Sequence, residues 1–347
     1  MTERLVTVLD LEKKSLRFSR LSAFAAIVAL TLPCFAIPYG VTLFLAKYMH
    51  FTRSDLTALE QGKIIAKPID TNLTRELAFI GVTHVDAKAS DLMTQFRDIE
   101  TFKKGEAVLK VKKLSDPPVR EDFNSMKLEP DDIKALKKCK PAKCDLKLSA
   151  DMIATLQNAI SRGKSIESVY QDLMFSYVQS YRSKGNSALC EYNDEKKMVS
   201  LFEEFKGILS NSTYLKDSHP NLYSHLEKEI PLTGSEKFVY WSKETLGFRP
   251  VVTMTEVTIY QASAQTAVIT SKQIYANHYM DGSLGVTLVM ADENIEKPGF
   301  YMIYINRSRT DMLGGLLAGL KRSIAKSRST SALKENLQLI KQRLEED

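Results

Sequence analysis

From Leu21 to Ala46 the chain runs 26 residues without a charge, "LSAFAAIVALTLPCFAIPYGVTLFLA", bracketed by Arg20 and Lys47. About 20 apolar residues span a bilayer as a helix, so the run predicts a single transmembrane anchor. Lys13, Lys14, Arg17 and Arg20 precede it and favour a cytoplasmic tail over residues 1–20. A cleaved signal peptide is the alternative, although "CFA" before Ile37 is a poor small-x-small cleavage site. Both readings put everything beyond residue 47 outside the cytoplasm. The expected location is the inner membrane, single-pass, or a periplasmic or secreted state after cleavage.

The rest is long enough to bury a core. Its composition, 44% hydrophobic and 26% charged, is that of an ordinary globular chain. A net charge of +6, with lysines and glutamates interspersed, offers no stripe for nucleic acid. Four cysteines are too few for a disulfide scaffold. Cys139 and Cys144, in "CKPAKC", are close enough in sequence for a local disulfide in an oxidising compartment. Cys190 is expected to be a free, buried thiol.

Periodicity divides the chain. Residues 47–75 read as a linker with a short helix. "ELAFIGVTHVDA" (76–87) alternates as a strand with two largely apolar faces, a helix follows over 88–105, and "EAVLKVKKL" (106–114) is a strand again. Residues 115–246 form an insert, mainly helical over 115–230 and able to dock a protein partner there. Long strands follow: 249–261, 266–280, 282–292 and 299–308. Asp281-Gly282 is expected to be a tight hairpin turn, or the point where one long strand bends. Two helices close the chain. The first, 311–328, carries a stripe of Leu313, Leu316, Leu317, Leu320 and Ile324, with Gly314, Gly315 and Gly319 for close approach to a sheet. The second spans 331–345, within a C-terminal segment 329–347.

The order of elements resembles a known architecture. "FIGVTHVDA" leads into a helix ending "FRDIETFKKG", and "FYMIYINRSRTDMLGGLLAGLKRSI" is a strand feeding a helix. This is similar to the START-like, helix-grip superfamily of lipid-transfer and polyketide-cyclase proteins. The chain also resembles exported bacterial proteins carrying segments like "SKQIYANHYMDGSLG" and "YINRSRTD". The first resemblance implies an α+β domain over 76–328, an antiparallel sheet gripping a long C-terminal helix around an apolar cavity. It further implies a ligand that is a lipid or another apolar molecule.

No HExxH, GxSxG, Walker or GxGxxG motif occurs, and the five histidines are scattered. Neither a catalytic residue nor a metal or cofactor is therefore assigned. The polar strand "KQIYANHYMDGSLG" (272–285) supplies the ligand-binding candidates. Alternation puts Gln273, Tyr275, Asn277 and Tyr279 on one face, as a cavity wall, and Lys272, Ile274, Ala276 and His278 on the other. Trp241 and Arg307 are further candidates, the latter for an anionic head group. The expected function is a membrane-anchored extracytoplasmic binding protein for an apolar ligand. An enzyme using His278 with Asp281, or an envelope scaffold, are the alternatives.

Overall fold

The computed structural model describes residues 37–245, 249–292, 299–313 and 318–346. The expected cytoplasmic tail 1–20, residues 21–36 of the uncharged run, residues 293–298, and the Gly314–Leu317 part of the glycine-rich stripe lie outside these.

The described chain opens on α1 (Tyr39–Met49), α2 (Arg53–Glu60) and β1 (Ile65–Ile69), then β2 (Glu76–Val85). Thr52 starts α2 with a capping box: its hydroxyl accepts from the Asp55 amide and the Asp55 carboxylate from its own. Next come α3 (Ala89–Arg97), α4 (Ile99–Phe102) and β3 (Val108–Lys113). The insert contributes α5 (Pro130–Leu136), α6 (Ala150–Ser161), α7 (Ile166–Lys184), a two-residue ribbon of β4 (Glu191–Tyr192) and β5 (Val199–Ser200), α8 (Leu201–Ser210), α9 (Thr213–Ser218) and α10 (Pro220–Lys228). Ser149, Ser165 and Ser200 cap α6, α7 and α8, and proline opens α5 and α10, where its missing N–H has no helical acceptor in any case. The chain ends with β6 (Ser235–Glu244), β7 (Val251–Gln261), β8 (Thr266–Ala276), β9 (Met280–Ala291), β10 (Phe300–Thr310) and α11 (Ala318–Glu346).

Eight strands form one antiparallel sheet in the order β1-β2-β10-β9-β8-β7-β6-β3. The α+β class and the large antiparallel sheet with a C-terminal helix are thus as expected. Several boundaries move. β1 takes the sheet edge beside β2, so the expected linker 47–75 contributes a strand. β6 pairs with β7 throughout, so the insert ends before Ser235 and not at 246.

Both faces of the sheet are covered, which is why its strands read as apolar on both sides. Val268, Leu284, Val286, Leu288, Ile303 and Ile305 point into one core with α1 and α8–α10. Alternate residues, among them Val257, Ile269, Val289 and Met302, point into the opposite core with α3, α4 and α11. A third core joins α5–α7 to the β6–β8 end of the sheet.

The C-terminal helix packs through other residues than the expected stripe. Residues 318–328 and 331–345 of the two expected helices lie in one continuous α11, and the expected stripe is not what packs deepest. Leu320 and Ile324 are exposed, whereas Leu337 and Leu344 are buried with Val85, Phe300 and Met302. Among the described residues close approach comes from the sheet: a Cβ on Gly81 of β2 would overlap Leu337 and lie 3.1 Å from Leu333. Gly319 has nothing within 4 Å. Leu337 and Leu333 thus lie directly on the backbone of β2.

The end of the uncharged run also belongs to the domain. Val41, Phe44 and Leu45 of α1, with Ile37, are buried against β9, β10, α9 and α10. The predicted span 21–46 and the folded domain therefore overlap at 37–46. Among the described residues no helix is long and apolar enough to cross a membrane.

Candidate functional site

The β8–β9 ladder ends at Lys272–Leu284. Beyond it, β8 carries a bulge: Thr255 of β7 faces Gln273, yet Met254 faces Tyr275, leaving Ile274 as the extra residue. A bulge resets the period-2 alternation. Ile274 and Tyr275 consequently both enter the core shared with α7. The expected single face of Gln273, Tyr275, Asn277 and Tyr279 does not exist.

The turn is also displaced. β8 stops at Ala276 and β9 starts at Met280, so Asp281-Gly282 lies inside β9 and is neither hairpin turn nor bend. The reversal is made by Asn277–Tyr279. Tyr279 has φ +61°, and the Met280 amide donates to the His278 carbonyl at 2.6 Å across it. A positive φ is a strained state for a bulky residue. Surrounding bonds hold it: Asp311 N donates to the Tyr279 carbonyl at 3.1 Å, and the Asn277 side-chain oxygen accepts from Val252 N at 2.7 Å.

Against this turn lies the insert segment Asp145–Leu148. Lys147 N donates to the Asn277 carbonyl at 2.9 Å, and the Tyr275 hydroxyl donates to the Lys147 carbonyl at 3.0 Å. The Lys147 ammonium, 4% exposed, reaches Asp281 at 2.9 Å, Asp311 at 2.8 Å and Asp194 at 3.6 Å. Asp281, wholly buried, also accepts from Arg75 at 2.7 Å. The chain of charges continues from Arg75 to Glu204, from Glu204 to Arg309, and from Arg309 to Glu76, which also holds Arg307 at 2.7 Å. Alternating signs through low-dielectric surroundings let each charge compensate its neighbour.

Burial opposes the charged form of Lys147, but Asp281, Asp194 and Asp311 outweigh it and hold its pKa above the ordinary lysine value. Burial raises the carboxyls of Asp281 and Asp194 despite the facing ammonium. The directions pull against each other across one pair. The three-carboxylate geometry around Lys147 makes its charge the firmer assignment.

A second branch starts at His278. Its Nε2 lies 3.0 Å from Asp132 Oδ1 and its Nδ1 3.1 Å from the Asp145 carbonyl oxygen. Arg249 approaches Asp132 at 3.7 Å. Both ring nitrogens are engaged, so neither is open to act as a base on a ligand. The suggested partner of His278, Asp281, is instead held by Lys147 and Arg75.

The two branches meet at a cleft of about 490 Å³ lined by Lys147, Asp194, Arg249, His278, Tyr279 and Asp311, with the disulfide loop at its rim. In that loop Cys139 and Cys144 sit at disulfide distance, with Cα atoms 4.5 Å apart, and the Cys144 amide donates to the Asp194 carbonyl at 3.0 Å. Cys190 is buried and unbridged, and burial pushes its thiol up to about 12.

Of the sequence candidates, His278 and Tyr279 line the cleft. Asp281 lies one contact behind it, through Lys147. Tyr275 is packed among Tyr170, Tyr177 and Tyr192. Trp241 is buried and donates to the Asp122 carbonyl at 3.0 Å. Gln273 is buried, and Arg307 is neutralised by Glu76. Lys147, Asp132 and Asp194 were not anticipated, because they come from an insert whose chain distance from β8 hides the contact. The alternation of Leu146 and Leu148 around Lys147 in "DLKLS" was the one available sign of an ordered segment. Among the described residues no group of three His, Cys, Asp or Glu could hold a metal ion.

No protein-family model matches the chain, and no curated protein matches it.

Proposed function

We propose that the chain is an extracytoplasmic, membrane-associated binding protein whose ligand is small and polar and occupies the cleft at Tyr279. The observation that carries this is the strained Tyr279 turn at the cleft. Backbone strain persists only where the surroundings over-determine it, and it clusters at ligand sites. The cleft volume is that of a small-molecule site. Its lining of two cations, several carboxylates and one aromatic ring suits hydrogen-bonded ligands better than acyl chains. Where the helix-grip expectation puts an apolar ligand, between sheet and helix, Leu337 and Leu344 are buried with Val85, Phe300 and Met302.

Two observations favour the location. The Cys139–Cys144 pair suits an oxidising compartment. On α1, Tyr39 is 80% and Leu43 48% exposed, so an apolar outward face follows directly on the uncharged residues 21–36. Residues 21–36 then serve as membrane contact or export signal. Reporter fusions after Lys47 and Asp347 should both read as extracytoplasmic, and a cytoplasmic signal from either would overturn that placement.

The binding reading is tested by thermal shift against a panel of amines, amino acids, sugars and single-chain lipids. A polar member should raise Tm, and the rise should vanish in Tyr279→Gly, which keeps the turn and removes the ring. Stabilisation by lipids alone would refute the polar cleft.

A further inference from the structure

A second lysine differs from Lys147 in every respect that matters for reactivity. Lys272 of β8 is 2% exposed, and among the described residues no carboxylate lies within ion-pair distance of it. Its Nζ donates to the Tyr181 hydroxyl at 2.9 Å and sits in a still shorter contact with the side-chain oxygen of Asn186. The rings of Phe205 and Tyr181 lie 4.5 and 5.1 Å from Nζ. Asn186, 5% exposed, follows α7 directly. It is locked in orientation: Nδ2 donates to the Leu226 carbonyl at 3.0 Å and the Glu227 carbonyl at 3.3 Å, and its backbone amide donates to Glu229 Oε1 at 2.8 Å. Among the described residues the amide carbonyl is thereby presented to the lysine alone.

We propose that Lys272 and Asn186 form an intramolecular isopeptide bond, Nζ to Cγ, which ties β8 covalently to the end of α7. The amine adds to Cγ, the C–Nδ2 bond breaks, and Nδ2 leaves as ammonia with a proton taken from Nζ. The balance is one amine and one primary amide giving one secondary amide and one ammonia, with no oxidant or cofactor. The reaction needs the lysine as a neutral amine. Burial shifts the balance that way, lowering Lys272 to about 8 against the opposing fields of Glu256 and Glu229, with Lys237 lowering it further, so that a minor neutral fraction is present near neutral pH and grows as pH rises. It also needs a proton acceptor: the Tyr181 hydroxyl beside Nζ donates in turn to Glu256 Oε1 at 3.2 Å, forming a path off the ammonium. Fixed reactants side by side raise the effective concentration by orders of magnitude. Exclusion of water keeps hydrolysis from competing. Lys147, held charged by three carboxylates, lacks this reactivity and remains an ion pair.

The test is mass spectrometry of the full chain purified in folded form. The protein should weigh less than its sequence by one ammonia, beyond the two hydrogens of the disulfide. Proteolysis should yield a branched peptide joining the segments around residues 186 and 272, a readout independent of N-terminal processing. Lys272→Met should restore the full mass and abolish the branched peptide. Two linear peptides with no mass deficit in the wild type would overturn the proposal, whether or not the variant folds.

Discussion

Replacing Lys147 by methionine tests whether the charge chain is structural. Methionine keeps much of the apolar stem and removes the ammonium. Asp281, 0% exposed, would be left with Arg75, whose own side chain is 41% exposed and shared with Glu204. Removing one partner of a buried pair costs about 3–5 kcal/mol, because the remaining charge stays buried without compensation. At about 2–4 °C per kcal/mol this lowers Tm by about 6–20 °C. Lys134→Met is the internal control: its pair with Asp131 has both side chains over two-thirds exposed, so its loss costs well under about 1 kcal/mol. Urea unfolding followed by fluorescence and far-UV circular dichroism gives both values, and an unchanged m-value confirms that stability alone has moved. Adding Asp281→Asn to Lys147→Met removes the orphaned charge, so the double variant should lose less than the two single losses summed, by about 0.5–3 kcal/mol. A Lys147→Met protein within about 1 kcal/mol of wild type would refute the reasoning, since the pair would then be behaving like an exposed one.

Other consequences are quicker to check. Gly81→Val places a side chain where Leu337 and Leu333 now pack, and overpacking of this kind costs about 1–3 kcal/mol; hydrogen exchange should show α11 losing protection, and unchanged protection would contradict its docking there. His219 has its pKa lowered by burial alone. Below pH 6.5 the unfolded chain binds its proton first, so stability should fall as pH drops from 6.5 towards the lower folded value; His219→Asn should flatten that slope, and an unaltered slope would assign it elsewhere. Replacing Cys139 and Cys144 together by alanine opens a ring of six residues, for which chain entropy gives about 2 kcal/mol; a loss beyond about 4 kcal/mol would mean that the loop organises the cleft as well.

The strands, the helical insert and the α+β class were legible because hydrophobic period reports burial directly. Val268 against Ile269, and Leu288 against Val289, alternate as the pattern demands. The polar stretch was not legible in detail. One extra residue at Ile274 inverts every face assignment beyond it, and a bulge leaves no mark in composition. Tyr279 in a positive-φ turn ran against preference, since Asp281-Gly282, beginning two residues on, was the better turn signal. Tertiary bonds to Val252, Lys147 and Asp311 overrode that preference. Of the stripe on residues 311–328, Leu320 and Ile324 are helical but exposed; the sheet is met further on by Leu337, where β2 offers Gly81. The cleft depends on Lys147 meeting Asp281, residues 134 apart in the chain, which spacing alone cannot predict.

The central claim is that the ligand sits in the polar cleft and not within the apolar interior. Native mass spectrometry of the full chain, purified in mild detergent and then released from it, addresses this directly. The account predicts a polypeptide carrying no acyl lipid, with any retained small molecule polar and lost in Tyr279→Gly. A lipid retained at one per chain, and unaffected by that substitution, would contradict it.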